Sequence, residues 1–153
     1  MNVSNGNDDL LFAEETAVSE SHPRRRDALK LMIVDDEQEI HRITRMALKD
    51  FVFEARKLEF ISAFSGDEAR TLLRQHPDTA VILLDVVMES EHAGLEVADY
   101  IRNTLRNSLI RIILRTGRPG QAPERRVIMD YDINDYKEKT ELTVKKLTTS
   151  VIT

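Results

Sequence analysis

From Leu29 onward, apolar runs of strand length alternate with polar segments whose hydrophobic positions recur at helical spacing. That is the pattern of successive βα units around a parallel sheet. Leu31-Met32-Ile33-Val34 is a continuous apolar run ending in Asp35 and Asp36, and Ala80-Val81-Ile82-Leu83-Leu84 is another ending in Asp85. Uninterrupted runs of this kind belong to strands covered on both faces. Further strands are expected over residues 58–63, 110–114 and, briefly, 133–136. Ile40, Ile43, Ala47 and Leu48 mark a first helix, Ala69, Leu72 and Leu73 a second, and Leu95, Ala98, Ile101 and Leu105 a third. Ser65 followed by Glu68 reads as a capping box for the second helix. Pro123 suits the first turn of a short fourth helix, and Thr140 caps a last helix with Val144, Leu147 and Val151 on one face. The expected fold is α/β, a doubly wound sandwich on a five-stranded parallel sheet.

Residues 1–28 lack such periodicity and carry acidic patches at Asp8, Asp9, Glu14, Glu15 and Glu20. They are expected to form a disordered tail, despite a small apolar cluster at Leu10, Leu11 and Phe12, ahead of one domain over residues 29–153. The chain's 41% hydrophobic and 32% charged residues are enough for a core without staples. The absence of cysteine removes disulfides, thiolate metal sites and cysteine nucleophiles, and agrees with a cytoplasmic location. No apolar run approaches the ~20 residues of a membrane helix, and no signal peptide opens the chain. A net charge of -5 gives no general attraction for nucleic acid. Arg24-Arg25-Arg26, the one tight basic run, reads as a solvated approach to the first strand. His22, His41, His76 and His92 show no paired metal spacing and read as surface residues.

In an open parallel sheet, ligands bind beyond the carboxyl ends of the strands. Asp35, Asp36 and Asp85 all stand at such ends, and taken singly each reads as a helix cap after a strand. If the first and third strands are neighbours, three carboxylates meet at one edge, which is unfavourable without a cation. Hard oxygen ligands in small number suit Mg²⁺. Thr116 follows the fourth strand and Lys139 the fifth. A hydroxyl and an ammonium facing that centre would neutralise an incoming phosphoryl group.

Asp35-Asp36, Asp85, Thr116 and Lys139, at strand ends and in this order, resemble the receiver-domain signature of two-component response regulators over residues 29–153. The resemblance implies a strand order of 2-1-3-4-5, five helices and no enzymatic activity of its own. It implies that Asp85 accepts a phosphoryl group, that Asp36 binds Mg²⁺ directly, that Asp35 acts largely through water, and that the Val87 carbonyl adds a ligand. Thr116 and Lys139 would hold the phosphoryl oxygens, and Tyr136 would be the switch aromatic. Gly117 would keep the site open, and groups at Val87 and Arg118 would help set the rate of phosphate loss. The implied partners are a sensor histidine kinase or phosphotransfer protein, an output domain, and a second copy in a homodimer.

There are departures. Glu89 after Met88 and Thr140 after Lys139 stand where the family usually has proline, which bears on loop geometry. Residues 51–57 look like an enlarged connection after the first helix, and residues 117–120 lengthen the loop after Thr116. The phrases Leu-Leu-Asp-Val-Val-Met-Glu, Leu-Arg-Thr-Gly-Arg-Pro-Gly-Gln-Ala-Pro-Glu and Tyr-Asp-Ile-Asn-Asp-Tyr-Lys resemble a subgroup often fused to a sensory-like domain and a cyclic-di-GMP enzyme. No such output segment follows the last expected helix, so the chain is expected to be a shortened form of a longer protein.

Two other readings use the same residues. A Mg²⁺-dependent phosphohydrolase with an aspartate nucleophile wants a second aspartate where Val87 stands. A flavin or nucleotide module built on residues 117–120 lacks the Gly-Lys-Ser/Thr ending of a phosphate loop. Strand alternation puts Lys137 and Lys139 on one face. It is the resemblance, through Asp135-Tyr136, that selects Lys139 as the essential lysine.

Overall fold

In the computed structural model, which describes residues 28–117 and 125–139, the run ending before Asp35 becomes a central strand, β1 (Leu29–Val34). There follow α1 (Gln38–Leu48), β2 (Val52–Phe53), β3 (Arg56–Ala63), α2 (Gly66–Gln75), β4 (Val81–Asp85) and α3 (Ala93–Asp99). Helix α3 widens into a π-helical turn (Tyr100–Thr104), after which come β5 (Arg111–Thr116), α4 (Arg125–Asp130) and β6 (Asp135–Glu138). The expected tail, with Arg24 to Arg26 and His22, lies outside the described residues. So do Arg118, Pro123 and the helix expected from Thr140.

The sheet order is β2-β3-β1-β4-β5-β6. Its five parallel strands follow the doubly wound order expected of them, with β1 flanked by β3 and β4. The sixth strand corrects the sequence reading. Residues 51–57 are no plain connection: β2 pairs antiparallel with β3, Val52 opposite Lys57 and Phe53 opposite Arg56. Glu54 and Ala55 between them have φ of 50° and 64°, the positive pair that a type I′ hairpin turn demands. Neither is Asn or Gly, so the turn left no local signal.

Both faces of the sheet are covered. Met32 and Val34 pack with Ile82, Leu84, Ile112 and Leu114 on one side, against Ala69, Leu73, Val97 and Ile101. Leu31 and Ile33 pack with Leu83, Ile113 and Leu48 on the other. Removing a side chain such as Leu83 from either layer costs about 2–5 kcal/mol, because the cavity closes only in part. This double burial holds the strand ends in fixed register.

Helix α2 starts at the capping residue expected for it. Ser65 Oγ accepts from the Glu68 N–H at 3.1 Å. The return bond is shifted by one residue, Glu68 Oε2 accepting from the Phe64 N–H at 3.2 Å.

The inner face of α1 also departs from expectation. It buries Ile40 and Leu48 together with His41 and Thr44, so His41 is not a surface residue. Its Nε2 lies 2.8 Å from the Asp35 carbonyl and its Nδ1 2.9 Å from Ser62 Oγ. A carbonyl only accepts, so Nε2 carries the proton and Nδ1 accepts from the serine hydroxyl. That is a neutral imidazole with both nitrogens satisfied, and the ring stacks on Phe64 at 4.2 Å. Burial holds its pKa below the ordinary 6.5. The folded state therefore resists protonating it, and this contribution to stability is full above 6.5 and is lost as pH falls through the lowered value. An NMR titration should place the His41 midpoint below 6.5 with the Nε2–H tautomer above it; a midpoint at or above 6.5 contradicts the arrangement.

Candidate functional site

Val34 of β1 stands opposite Leu84 of β4, so the next residues, Asp35 and Asp85, emerge side by side at the carboxyl edge of the sheet. Asp36 follows at once. Carboxylate oxygens of all three lie within 4.8 Å of one another. Asp35 and Asp85 are buried, at 0% and 2% exposure, while Asp36 is exposed. Asp35 Oδ1 accepts from the Glu37 N–H at 2.9 Å, which fixes the turn into α1 in place of a cap from Glu37 itself.

Lys139, just past the end of β6, reaches back over this cluster. Its Nζ donates to Asp85 Oδ2 at 3.0 Å and to Asp35 Oδ1 at 3.3 Å. It also lies 3.0 Å from Asp35 Oδ2 and 3.6 Å from Glu37 Oε1. Lys137 goes elsewhere, 3.8 Å from Asp135 Oδ2. Above the carboxylates is a cavity of about 300 Å³ lined by Asp36, Asp85, Val87, Thr116, Gly117 and Lys139 among others. Tyr136 is not part of that lining. It stands opposite Leu114 on β5 and packs half-buried against the core. A Cβ on Gly117 would meet Lys139 Cδ at an ordinary 3.5 Å, so the glycine leaves space without being sterically required.

The electrostatics follow from the burial. Desolvation pushes the Asp85 carboxyl up from 3.8 to about 6; the Lys139 hydrogen bond works against it, and repulsion from Asp35 and then Asp36 works with it. Burial alone would depress the Lys139 ammonium, but its hydrogen bonds to Asp85 and Asp35 together outweigh that and leave it raised. At neutral pH the pair is therefore ionised, a carboxylate under an ammonium.

Three residues of the site had no role in the sequence reading. Gly94, at the start of α3, donates its N–H to the Val86 carbonyl at 2.9 Å. A Cβ there would fall 2.0 Å from the Asp85 carbonyl oxygen and 2.8 Å from Val86 Cα, so α3 can rest on the backbone of Asp85 only because this position is glycine. An isolated glycine in a helical pattern was the one hint. Glu89 accepts from the Gly66 N–H with both oxygens, at 2.7 and 3.1 Å. It ties the β4–α3 loop to the first turn of α2 at the position where a proline was missed. The third is Arg115, fully buried in β5 beside Asp85.

Comparison with known proteins agrees with the fold and with the family resemblance. The family model for the response regulator receiver domain matches residues 31–151. The 3′3′-cGAMP-specific phosphodiesterase 2 of Vibrio cholerae is 56% identical over 119 residues, which is 78% of this chain and 23% of that protein. The chain thus spans under a quarter of that relative's length. A response regulator receiver protein from Pseudomonas putida superposes with a TM-score of 0.66 at 23% identity, covering 82% of this chain and 96% of the other. The Mn²⁺-bound form of the response regulator Rcp1 gives 0.61 at 21% identity, covering 80% and 88%. Among the described residues, no helix is long and apolar enough to cross a membrane.

Proposed function

The chain belongs to the response regulator receiver domain family of two-component signalling, and from that premise we propose that its Asp85 accepts a phosphoryl group from the phosphohistidine of a sensor kinase or phosphotransfer protein. The observation that carries this is the meeting of Asp35, Asp36 and Asp85 beside the Lys139 ammonium, with Asp36, Asp85 and Lys139 lining one cavity.

The donor set fits a hard divalent cation. Three carboxylates converge, and the buried Asp35 Oδ2 has no well-aligned hydrogen bond among the described residues, only the Lys139 ammonium 3.0 Å away. Asp36, Asp85 and the Val87 carbonyl would hold Mg²⁺, with Asp35 in support, and the cation would neutralise charge on the transferring group.

The chain's own groups then divide the work. Asp85, with a pKa of about 6, is mainly ionised at neutral pH and supplies the nucleophile. One of its oxygens bonds to phosphorus as the phosphorus–nitrogen bond breaks, and the electron pair leaves with the imidazole. Lys139, already 3.0 Å from Asp85 Oδ2, is within reach of an oxygen of the new phosphoryl group for a charge-assisted contact. Thr116, on the same cavity wall, would donate its hydroxyl to another. Drawing Thr116 toward the phosphoryl group leaves space for Tyr136 to turn inward. Phosphorylation thereby favours one of two conformations in proportion to its differential contacts with them. The phosphohydrolase alternative lacks its second carboxylate, since Val87 stands there.

The signal would leave through the face of α4 and β6, where Met129 is 73% exposed, to an output domain or a second copy of the chain. The Vibrio relative makes a cyclic-dinucleotide phosphodiesterase the preferred kind of output. The absence of cysteine supports a cytoplasmic setting.

The two lysines test the register. Lys139→Ala should still take up some phosphate but lose the chemical-shift response to beryllofluoride. Lys137→Ala, whose Nζ is turned to Asp135, should keep that response. A normal response in Lys139→Ala with a lost one in Lys137→Ala would overturn the assignment.

A further inference from the structure

We propose that Arg115 is the buried counter-charge of the acidic cluster, a positioning residue that favours the phosphoryl group on Asp85 at the expense of divalent-cation affinity. This rests on the reading of Asp85 as phosphoacceptor.

Arg115 of β5 stands in register with Asp85 of β4 on one side and Lys137 of β6 on the other. In-register residues of parallel strands share a face, so Arg115 and Asp85 point to the same side as the apolar layer of Ile33, Leu83 and Ile113. The Arg115 side chain is 0% exposed. Its Nη1 donates to Thr44 Oγ1 at 2.9 Å, and Thr44 in turn donates to the Ile40 carbonyl at 2.7 Å. Its Nε and Nη2 have no hydrogen-bond partner among the described residues.

A buried guanidinium whose Nε and Nη2 find no hydrogen-bond partner among the described residues is strongly unfavourable there. As a packing element, an apolar side chain would serve better in a layer of Ile and Leu. The group nevertheless stays charged, since burial lowers its pKa only to about 10 against the attraction of Asp35 and Asp85. That through-space attraction offsets part of its burial and acts on the cluster in turn, although at Asp85 itself Lys139 and the neighbouring carboxylates act more strongly. Lys139 lines the cavity with its side chain 12% exposed, whereas Arg115 is fully buried and is screened less.

The consequence is a charge balance with opposite effects on two ligands. Asp35, Asp36, Asp85 and Glu37 against Lys139 and Arg115 leave two net negative charges. Without Arg115 there would be three. A divalent cation gains from the extra negative charge. A phosphoryl group, which adds negative charge to Asp85, loses from it.

The test is the pair Arg115→Gln and Arg115→Lys in the whole chain, read as the dissociation constants of Mg²⁺ alone and of beryllofluoride at saturating Mg²⁺. Glutamine keeps a polar side chain but carries no charge, and its amide ends where Arg115 Nε does, two bonds short of the Nη1 that reaches Thr44. Arg115→Gln should bind Mg²⁺ about tenfold more tightly and beryllofluoride about tenfold more weakly. Arg115→Lys should stay close to the parent on both. Damaged packing would weaken both ligands together, so parallel weakening, or no change in either, overturns the proposal. If the glutamine variant does not fold, the parent protein still decides. Its buried Arg115 Nε–H resonance should move on Mg²⁺ binding and move back when beryllofluoride follows, and an unmoved resonance overturns the role. A parent protein that binds neither probe would remove the phosphoacceptor reading itself; one that binds both beside an unaltered Arg115→Gln removes only the role of Arg115.

Discussion

Asp85→Asn is expected to form no aspartyl phosphate from acetyl phosphate or from a phosphohistidine donor, while folding more stably than its parent. The first effect follows from removing the nucleophilic oxygen, since a neutral amide cannot take the carboxylate's place. The second follows from burial. The Asp85 carboxyl is raised from 3.8 to about 6, so the folded state binds its proton more tightly than the unfolded chain does. Its contribution to stability is therefore full below 3.8 and is lost as pH rises through about 6. Asparagine never ionises and escapes that loss. The displacement sets a ceiling of about 3 kcal/mol, from roughly 1.4 kcal/mol per pKa unit. Solvent at the cavity mouth reduces the expected gain to ~1 kcal/mol. Urea midpoints of metal-free protein should show little difference between variant and parent near pH 4 and the full difference by about pH 7.5. A variant less stable than its parent at the higher pH would contradict the electrostatic picture.

Gly94→Ala should cost ~3 kcal/mol and disturb the site at the same time. The added Cβ would lie 2.0 Å from the Asp85 carbonyl oxygen and 2.8 Å from the Asp85 carbonyl carbon. Both are backbone atoms that no rotamer change can move, so α3 must lift away and take the Gly94 N–H from the Val86 carbonyl. Gly66→Ala is the control. Its Cβ would meet Glu89 Oε1 at 2.6 Å, the end of a flexible side chain that swings clear, so the loss should be ~1 kcal/mol or less. Equal losses in denaturant unfolding would mean that the contact of α3 with the Asp85 backbone is not tight.

How much the sequence reveals depends on whether the cause is local. The strands β1 and β4 are legible because burial on both faces forces continuous apolar runs, and the aspartates stand out because they end those runs. The hairpin at Glu54-Ala55 is not legible, because its positive φ values are imposed without the residues that favour them. His41 and Thr44 escape a count of apolar positions because they satisfy buried polar partners, the Asp35 carbonyl and the Arg115 guanidinium. For the same reason the fourth strand was expected to end at Leu114, although pairing continues through Arg115 to Thr116. A charged residue reads as the end of a buried strand, since arginine is almost never fully buried unless paired. Lys137 and Lys139 cannot be separated by alternation. They part company because β6 ends at Glu138 and Lys139 can then turn back over Asp85. Gly94 depends wholly on a contact with another element, and an isolated glycine in a helical pattern is its one trace along the chain.

The central claim is that the three-carboxylate cluster serves one acceptor, Asp85, and it is met most directly by mapping the phosphoryl group. The whole chain is treated with acetyl phosphate, once with Mg²⁺ and once with EDTA. The acyl phosphate is reduced with borohydride to fix its position, and the peptides are weighed. A single modified residue, Asp85, is expected in the Mg²⁺ sample and none in the EDTA sample. Modification centred on Asp35, Asp36 or any other residue, or equal modification without the cation, would contradict it.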